Sequence, residues 1–365
     1  MFWWCEMSRL LSIRACGQRV WLDNLSRALV QQGELQRLIA EDGVAGVTSN
    51  PAIFYNAIAK DPAYQAHLAE LKQSLDDAEA RYEALVIPDV QAACDLLLPQ
   101  YRQTEAADGY VSLEVSPFLA NDEAATLAAA RRLWQAVNRP NLMIKVPATA
   151  AGIAAFEQLI AEGLNVNITL MFSQRHVEQV FDAYVRGLER RLAAGQPLHG
   201  IKAVASVFMS RVDTLVDKLL DQYGADESLV LRGKAAVALA KRAYRHYREL
   251  FHGERFAALK SAGARPQYLL WASTGTKNPA YSDVLYIEEL IGPETVNTAP
   301  DATLVAFRDH GQAAETLTRD VAGAELVLAQ LAEMQIDMLA VGEQLQQEGL
   351  KLFDEAFEKL LSLTA

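Results

Sequence analysis

Residues 110–146 read YVSLEVSPFLANDEAATLAAARRLWQAVNRPNLMIKV, and this stretch decides the fold class. Two short apolar runs, Tyr110–Val115 and Leu142–Val146, are rich in strand-forming residues. Between them, Asp122–Val137 has apolar residues at helical spacing. A strand, a helix and a second strand in this order predict a βαβ unit, in which the two strands are parallel.

The same alternation recurs along the chain. Six further apolar runs are predicted strands: Arg19–Asp23, Val44–Thr48, Asn165–Leu170, Ile201–Phe208, Tyr268–Ala272 and Thr295–Thr298. Helical spacing separates several of them, as at Ser173–Ala193 and Gly233–Phe251. Eight such units, with no glycine-rich phosphate loop after any strand, predict an α/β protein with a closed (β/α)8 TIM barrel rather than a doubly wound sheet.

Two segments lie outside this repeat. After the eighth run, helical spacing continues at Ala313–Leu331 and Met334–Leu361, which predicts helices outside the barrel or over its mouth. Residues 1–17 are expected to be a disordered or artefactual extension, with Met7 as an alternative start. Residues 18–365 are expected to form one barrel domain that includes the C-terminal helices.

Composition and charge narrow the range of partners. The formal net charge is −12, whereas nucleic acid and anionic membranes favour a basic surface. No apolar run approaches the ~20 residues that a bilayer requires, and the first residues lack the features of a signal peptide. The three cysteines, at positions 5, 16 and 94, and the six histidines show no metal-ligand spacing. We therefore expect a cytoplasmic protein without a metal site.

Lys145 interrupts an apolar strand near the end where barrel enzymes carry their catalytic groups. A lone lysine there is more often one that extends to solvent or pairs with a carboxylate. However, other polar residues also end predicted strands at the same face of the barrel: Asp23, Asn50, Glu114, Asn167, Thr169 and Ser206. Separately, these could serve as a helix cap, a turn residue or strand formers. Together they predict a polar pocket.

The chemistry that suits this set is amine catalysis on a ketone. Lysine's ordinary pKa of ~10.4 leaves little free amine at neutral pH, so buried surroundings and a cation, from Arg211 or Lys277, would favour the reactive form. Proton transfer requires a carboxylate, for which Asp23 and Glu114 are the candidates.

Two segments after late strands could bind phosphate, as the loops after strands seven and eight often do in barrels. One runs from Ser206 to Arg211, and the other is WASTGTK, which contains Ser273 and Lys277. A surface ion pair is the alternative explanation for Arg211. Hydroxyls around a glycine with a lysine beside them favour a functional loop over a structural one.

The chain resembles the transaldolases, specifically the branch with longer subunits, from about residue 20 to residue 311. Eight segments match in the correct order: WLDNLSR, GVTSNPAIF, SLEVSPFLA, NRPNLMIKVPAT, GLNVNITLMFS, ASVFMSRVD, LWASTGTKNPAYSDVLY and IGPETVNTAP. The resemblance implies a cofactor-free (β/α)8 barrel, sugar-phosphate substrates and a homodimer. It implies transfer of dihydroxyacetone, in the pentose phosphate pathway, from sedoheptulose 7-phosphate to glyceraldehyde 3-phosphate, giving erythrose 4-phosphate and fructose 6-phosphate.

The resemblance also implies roles for single residues. Lys145 would form the Schiff base, Asp23 would be the acid and base, and Glu114 would act through a water with Thr169. The remaining matches would bind substrate: Asn50, Asn167, Ser206, Arg211, Ser273 and Lys277. Many family members carry arginine soon after the serine of the last loop, whereas the nearest cation here is the lysine. A Schiff-base aldolase and a non-catalytic sugar-phosphate-binding barrel remain the alternatives.

Overall fold

A closed barrel of eight parallel strands forms the centre of the computed structural model, which describes residues 8–224 and 226–365. Each strand pairs with its neighbours in chain order, and the last pairs with the first, which confirms the predicted barrel. The predicted strand ends lie within two residues of the observed ones: β1 (Gln18–Leu22), β2 (Gly46–Thr48), β3 (Tyr110–Glu114), β4 (Leu142–Pro147), β5 (Val166–Met171), β6 (Ala203–Phe208), β7 (Tyr268–Ala272) and β8 (Thr295–Ala299).

Helices connect successive strands around the outside of the barrel, and further helices precede β1 and follow β8. In chain order they are α1 (Arg9–Ala15), α2 (Arg27–Gln31), α3 (Glu34–Asp42), α4 (Pro51–Lys60), α5 (Ala63–Ser74), α6 (Ala78–Gln103), α7 (Glu123–Val137), α8 (Ala150–Glu162), α9 (Gln174–Ala193), α10 (Ser210–Tyr223), α11 (Asp226–Leu229), α12 (Ala235–Phe251), α13 (Glu254–Ser261), α14 (Leu285–Glu288), α15 (Asp301–His310), α16 (Val321–Glu333) and α17 (Met338–Thr364). A 3-10 turn, Pro117–Leu119, follows β3. No helix in these described stretches is long and apolar enough to cross a membrane.

Helix α7 shows how the local sequence sets these bounds. Asp122 caps its start, because the carboxylate accepts a hydrogen bond from the backbone N–H of Ala125 at 2.9 Å. Asn138 ends it in the left-handed conformation, with φ at 48°. Between these ends, the buried residues recur at spacings of mostly three or four and face the strands: Thr126, Ala129, Ala130, Leu133 and Val137.

The segment before the barrel differs from its prediction. Residues 9–15 form helix α1, which packs against β1 and buries Leu10 and Ile13. The Ser8 hydroxyl donates a hydrogen bond to the Asp42 carboxylate at 2.6 Å. The expected disorder is therefore wrong for residues 8–17, because two apolar side chains anchor this helix. Residues 1–7, including the alternative start, lie outside the described residues.

The C-terminal helices occupy both of the predicted positions. Helix α16 packs against α12 on the outside, whereas α17 contacts α4, α6 and the end of β5 at the mouth of the barrel. Residues 313–320, predicted as helix, are not helical. The reason is local, because Asp320 caps the helix start by accepting a hydrogen bond from the N–H of Gly323 at 3.0 Å.

Candidate active site

Lys145 and Glu114 form a buried ion pair at the carboxyl ends of neighbouring strands. The two residues are direct partners in the register of β3 and β4. Lys145 Nζ lies 3.3 Å from Glu114 Oε2 and donates a second hydrogen bond to the carbonyl oxygen of Ser49 at 3.1 Å. The side chains are only 6% and 5% exposed, so each charge depends on the other for its stability.

Burial changes the proton affinity of Glu114. Removal from water raises the pKa of the carboxyl group to about 7, although the positive charge of Lys145 acts in the opposite direction. A carboxyl group with this pKa exists in both protonation states near neutral pH. It is therefore suited to donate and accept protons in one reaction cycle.

Asp23, which directly follows β1, is held by the Thr48 hydroxyl, which in turn contacts the hydroxyl of Thr298. Thr48 Oγ1 donates to Asp23 Oδ1 at 2.6 Å, and Thr298 Oγ1 lies 2.7 Å from Thr48 Oγ1. Burial raises the pKa of Asp23 above its ordinary value, while the charge of Lys145 and the Thr48 hydrogen bond act to lower it. The alternative role as a helix cap does not apply, because Ser26 caps α2.

Asn167 is a fully buried residue of β5 that fixes the position of Ser206. Its Nδ2 donates to the hydroxyl of Ser112 at 3.1 Å, and its Oδ1 accepts from Ser206 Oγ at 2.6 Å. With both ends of the amide engaged, Asn167 lies behind the cavity surface. It therefore orients a hydroxyl that the cavity does expose.

Thr169 lies at an irregularity in β5. Its Oγ1 is buried and has no hydrogen-bond partner among the described residues. The next residue, Leu170, has a φ of 60°, and the pairing of β5 with β6 shifts register at this point. Left-handed φ values in branched side chains store strain, and such sites cluster at functional positions.

Asn50 has a structural role that leaves part of its side chain available. Its Oδ1 accepts a hydrogen bond from the N–H of Ile53 at 3.0 Å, which caps helix α4. The amide nitrogen does not take part in this cap, and the residue lines the cavity. Capping and substrate binding are therefore compatible.

The loop after β7 contains hydroxyls with different roles. Thr274 and Thr276 donate to the backbone carbonyls of Thr298 and Ser282, so their hydroxyls hold the loop. Ser273, in contrast, lines the cavity with a φ of 53° and lies within 2.9 Å of the Ser210 hydroxyl. Of the three hydroxyls in this loop, only that of Ser273 therefore remains a candidate for contact with substrate.

Two cations line the same end of the cavity. Arg211 is half-buried, and its Nη1 has no hydrogen-bond partner in the described parts of the chain. Burial lowers the pKa of this guanidinium group below its ordinary value. Asp213 and Asp217 do not pair with it, because they accept hydrogen bonds from Tyr286 and Tyr281. The second cation, Lys277, is exposed at the rim.

These side chains surround a cavity of about 390 Å3 at the mouth of the barrel. Eight of the ten predicted site residues line it, and the other two, Glu114 and Asn167, lie directly behind it. Neither here nor elsewhere in the described chain is a group of three or more His, Cys, Asp or Glu side chains arranged to hold a metal ion.

Comparison with known proteins identifies the family. The model of the transaldolase/fructose-6-phosphate aldolase family matches residues 20–364. A transaldolase of Thiobacillus denitrificans is 56% identical over 346 residues, which cover 95% of this chain and 96% of the relative. A transaldolase of Neisseria gonorrhoeae is 50% identical over 356 residues, which cover 98% of this chain and 99% of the relative. A transaldolase of Mycolicibacterium smegmatis is 47% identical over 356 residues, which cover 97% of this chain and 96% of the relative. The chain belongs to the transaldolase/fructose-6-phosphate aldolase family.

Membership of this family confirms the resemblance and extends it. The match continues beyond residue 311 through helix α17, which the sequence motifs did not include. The shared name of the relatives supports an enzyme of the transferase class. Helix α17 also supplies one wall of the cavity, with three residues that sequence reasoning missed: Leu352, Phe353 and Ala356.

Proposed function

We propose that this protein is a transaldolase that carries a dihydroxyacetone unit as a Schiff base on Lys145. The observation that carries the proposal is the buried pair of Lys145 and Glu114, with an Nζ–Oε2 distance of 3.3 Å, at the floor of a cavity open to substrate. An amine nucleophile beside a carboxyl group with a pKa of about 7 suits the formation of a carbinolamine and its dehydration.

The first half of the cycle forms the covalent adduct. The free amine of Lys145 attacks C2 of a ketose phosphate, and the resulting carbinolamine loses water. Glu114 supplies and removes protons through a bound water that the unpartnered hydroxyl of Thr169 can hold.

The second half divides the sugar. Asp23 takes the proton of the C4 hydroxyl, the C3–C4 bond breaks, and the electron pair moves into the iminium to give an eneamine. The aldose phosphate then leaves, and an acceptor aldose phosphate reacts with the retained three-carbon eneamine. Covalent attachment avoids a free carbanion at every stage.

The rest of the cavity favours phosphorylated sugars. Arg211, Ser273 and Lys277 place two cations and a hydroxyl at one end, which suits a phosphate group. The donor and acceptor are sedoheptulose 7-phosphate and glyceraldehyde 3-phosphate, as in the pentose phosphate pathway. Asn50 and Ser206, with Asn167 behind them, bind the sugar hydroxyls.

Borohydride trapping tests this proposal. The protein is incubated with fructose 6-phosphate, reduced, digested and mapped by mass spectrometry, with Lys145→Met as the control. A reduced three- or six-carbon adduct is expected on the Lys145 peptide of the unmodified sequence and on no peptide of the variant. No adduct would overturn the covalent mechanism and favour a barrel that only binds sugar phosphates. Sustained turnover of fructose 6-phosphate without an acceptor would instead favour an aldolase.

A further inference from the structure

Helix α17 is fixed closely over the mouth of the barrel. Gln346 Nε2 donates hydrogen bonds to two carbonyl oxygens, that of Ala148 at 2.9 Å and that of Leu170 at 3.1 Å. These two residues lie at the ends of β4 and β5. Gly342 and Gly349, two turns apart on α17, let the helix backbone lie close to the residues that end β5. A Cβ at Gly342 would lie 2.5 Å from the Cβ of Ser173. This helix therefore packs directly against the strand ends and forms one wall of the site.

The same face of α17 presents Phe353 to the reacting lysine. The Phe353 ring centroid lies 5.7 Å from Lys145 Nζ, and the residue is 9% exposed. Apolar side chains adjoin it on the cavity surface: Phe208, Leu352 and Ala356. Polar residues at the ends of the barrel strands line the cavity as well, among them Asp23, Lys145 and Thr169. The site thus combines a polar floor with an apolar roof.

From this arrangement we infer that Phe353 is a specificity-determining residue that keeps water from the eneamine on Lys145, so that the three-carbon unit passes to a sugar acceptor instead of to water. The inference rests on the proposed function, because it concerns the fate of the same covalent intermediate. An apolar side chain beside a reactive intermediate leaves less room for the water that would hydrolyse it, and exclusion of water is one way in which active sites protect such intermediates.

The reaction that the roof would suppress has two steps. A proton adds to C3 of the eneamine, which gives an iminium ion at C2. Water then adds to C2, the C2–N bond breaks, and dihydroxyacetone leaves while the lysine amine retains a proton. Both steps need water or a proton donor beside the intermediate, and the Phe353 ring occupies part of the cavity surface next to its point of attachment at Lys145 Nζ.

The test compares two rates, dihydroxyacetone release from fructose 6-phosphate alone and transfer of the same unit from fructose 6-phosphate to erythrose 4-phosphate. Phe353→Ala is expected to raise the ratio of release to transfer by about tenfold or more, and Phe353→Leu by less, since leucine keeps part of the apolar cover. Phe357→Ala is the matched control. It removes a ring from the same helix, but that ring packs on Tyr82 and Phe118 rather than lining the cavity.

The outcomes separate the two proposals. Both alanine variants should lose thermal stability, because each removes a buried ring, but only the change at position 353 should alter the ratio. If borohydride still labels Lys145, an unchanged ratio of release to transfer in Phe353→Ala overturns this inference. Should that variant not fold, an unchanged ratio in Phe353→Leu overturns it. Failure of labelling in the unmodified sequence overturns the proposed function instead.

Discussion

Lys145 Nζ lies 3.3 Å from Glu114 Oε2, and the two residues occupy directly paired positions on β3 and β4. Two ionisable groups are therefore placed together by strand register alone, in a region where neither is appreciably exposed. Removing one partner would leave the other charge buried without compensation, which is more costly than losing an exposed pair. Each of the two charges therefore depends on the other, and both carry a desolvation cost that an exposed pair would not have.

Glu114→Gln should lower the rate of transfer and change its dependence on pH. Because the pKa of Glu114 is about 7, the carboxylate form needed as a base declines as pH falls below 7, and the rate should fall with it. The amide cannot ionise, so the inflection near 7 should disappear, and the rate should drop by roughly 10²–10⁴. Initial rates between about pH 5 and 9 test this. The exposed Glu358→Gln, on α17, should keep the original profile; an inflection that persists in Glu114→Gln contradicts the assignment.

Thr48→Val should raise the pKa of Asp23. The Thr48 hydroxyl donates to the Asp23 carboxylate at 2.6 Å and thereby favours its charged form. Loss of a hydrogen bond to the charged form should shift this pKa further upward. The acidic limb that Asp23 contributes to kcat/KM, separate from the Glu114 inflection near pH 7, should move to higher pH. Thr276→Val, which removes a hydroxyl that binds only the Ser282 carbonyl, should leave the limb in place.

The barrel and most of the site followed from local patterns. Strands and helices have different periods, and eight alternations leave few architectures. Parallel strands share one carboxyl edge, so polar residues at strand ends had to meet there, as Asp23, Glu114 and Lys145 do. For these residues, position at the end of a predicted strand was sufficient to predict that their side chains lie together.

Other features depend on contacts that no local pattern encodes. Phe353 lies 208 positions after Lys145 in the sequence, and its apolar character also fits an ordinary helix core. The hydroxyls around the glycine of the loop after β7 favoured a functional loop, yet those of Thr274 and Thr276 bind backbone carbonyls, because loop geometry decides where a hydroxyl points. Helix α1 is short, and tertiary packing of Leu10 and Ile13, rather than helix propensity, accounts for its order.

Gly342→Ala should destabilise the protein, although alanine is the better helix former. The new Cβ would lie 2.5 Å from Ser173 Cβ and 3.2 Å from the carbonyl oxygen of Phe172, so α17 would have to move from the barrel rim. Overpacking of this kind typically costs about 1–3 kcal/mol, which exceeds the ~1 kcal/mol gain in propensity. Denaturant unfolding measures the change. Ala340→Gly, at an exposed position of the same helix, gives the propensity effect by itself.

Arg211, more than Lys277, should determine the affinity for phosphate. Both line the cavity, but Arg211 is half-buried with Nη1 unpartnered, whereas Lys277 is exposed and its charge is screened by water. A charge-assisted hydrogen bond contributes about 1.5–3 kcal/mol, so Arg211→Gln should raise KM for fructose 6-phosphate roughly 10- to 100-fold. Lys277→Gln should raise it only about two- to fivefold, as expected for an exposed ion pair.

Unphosphorylated fructose separates this effect from general damage to the site. Its turnover should be nearly the same in the unmodified sequence and in both variants, because the cations would contact only the phosphate. A larger increase in KM for Lys277→Gln than for Arg211→Gln would contradict the prediction that Arg211 contributes more to phosphate affinity. It would mean that the loop after β7 closes over bound phosphate and removes Lys277 from water, since only a desolvated ammonium group could outweigh the half-buried guanidinium.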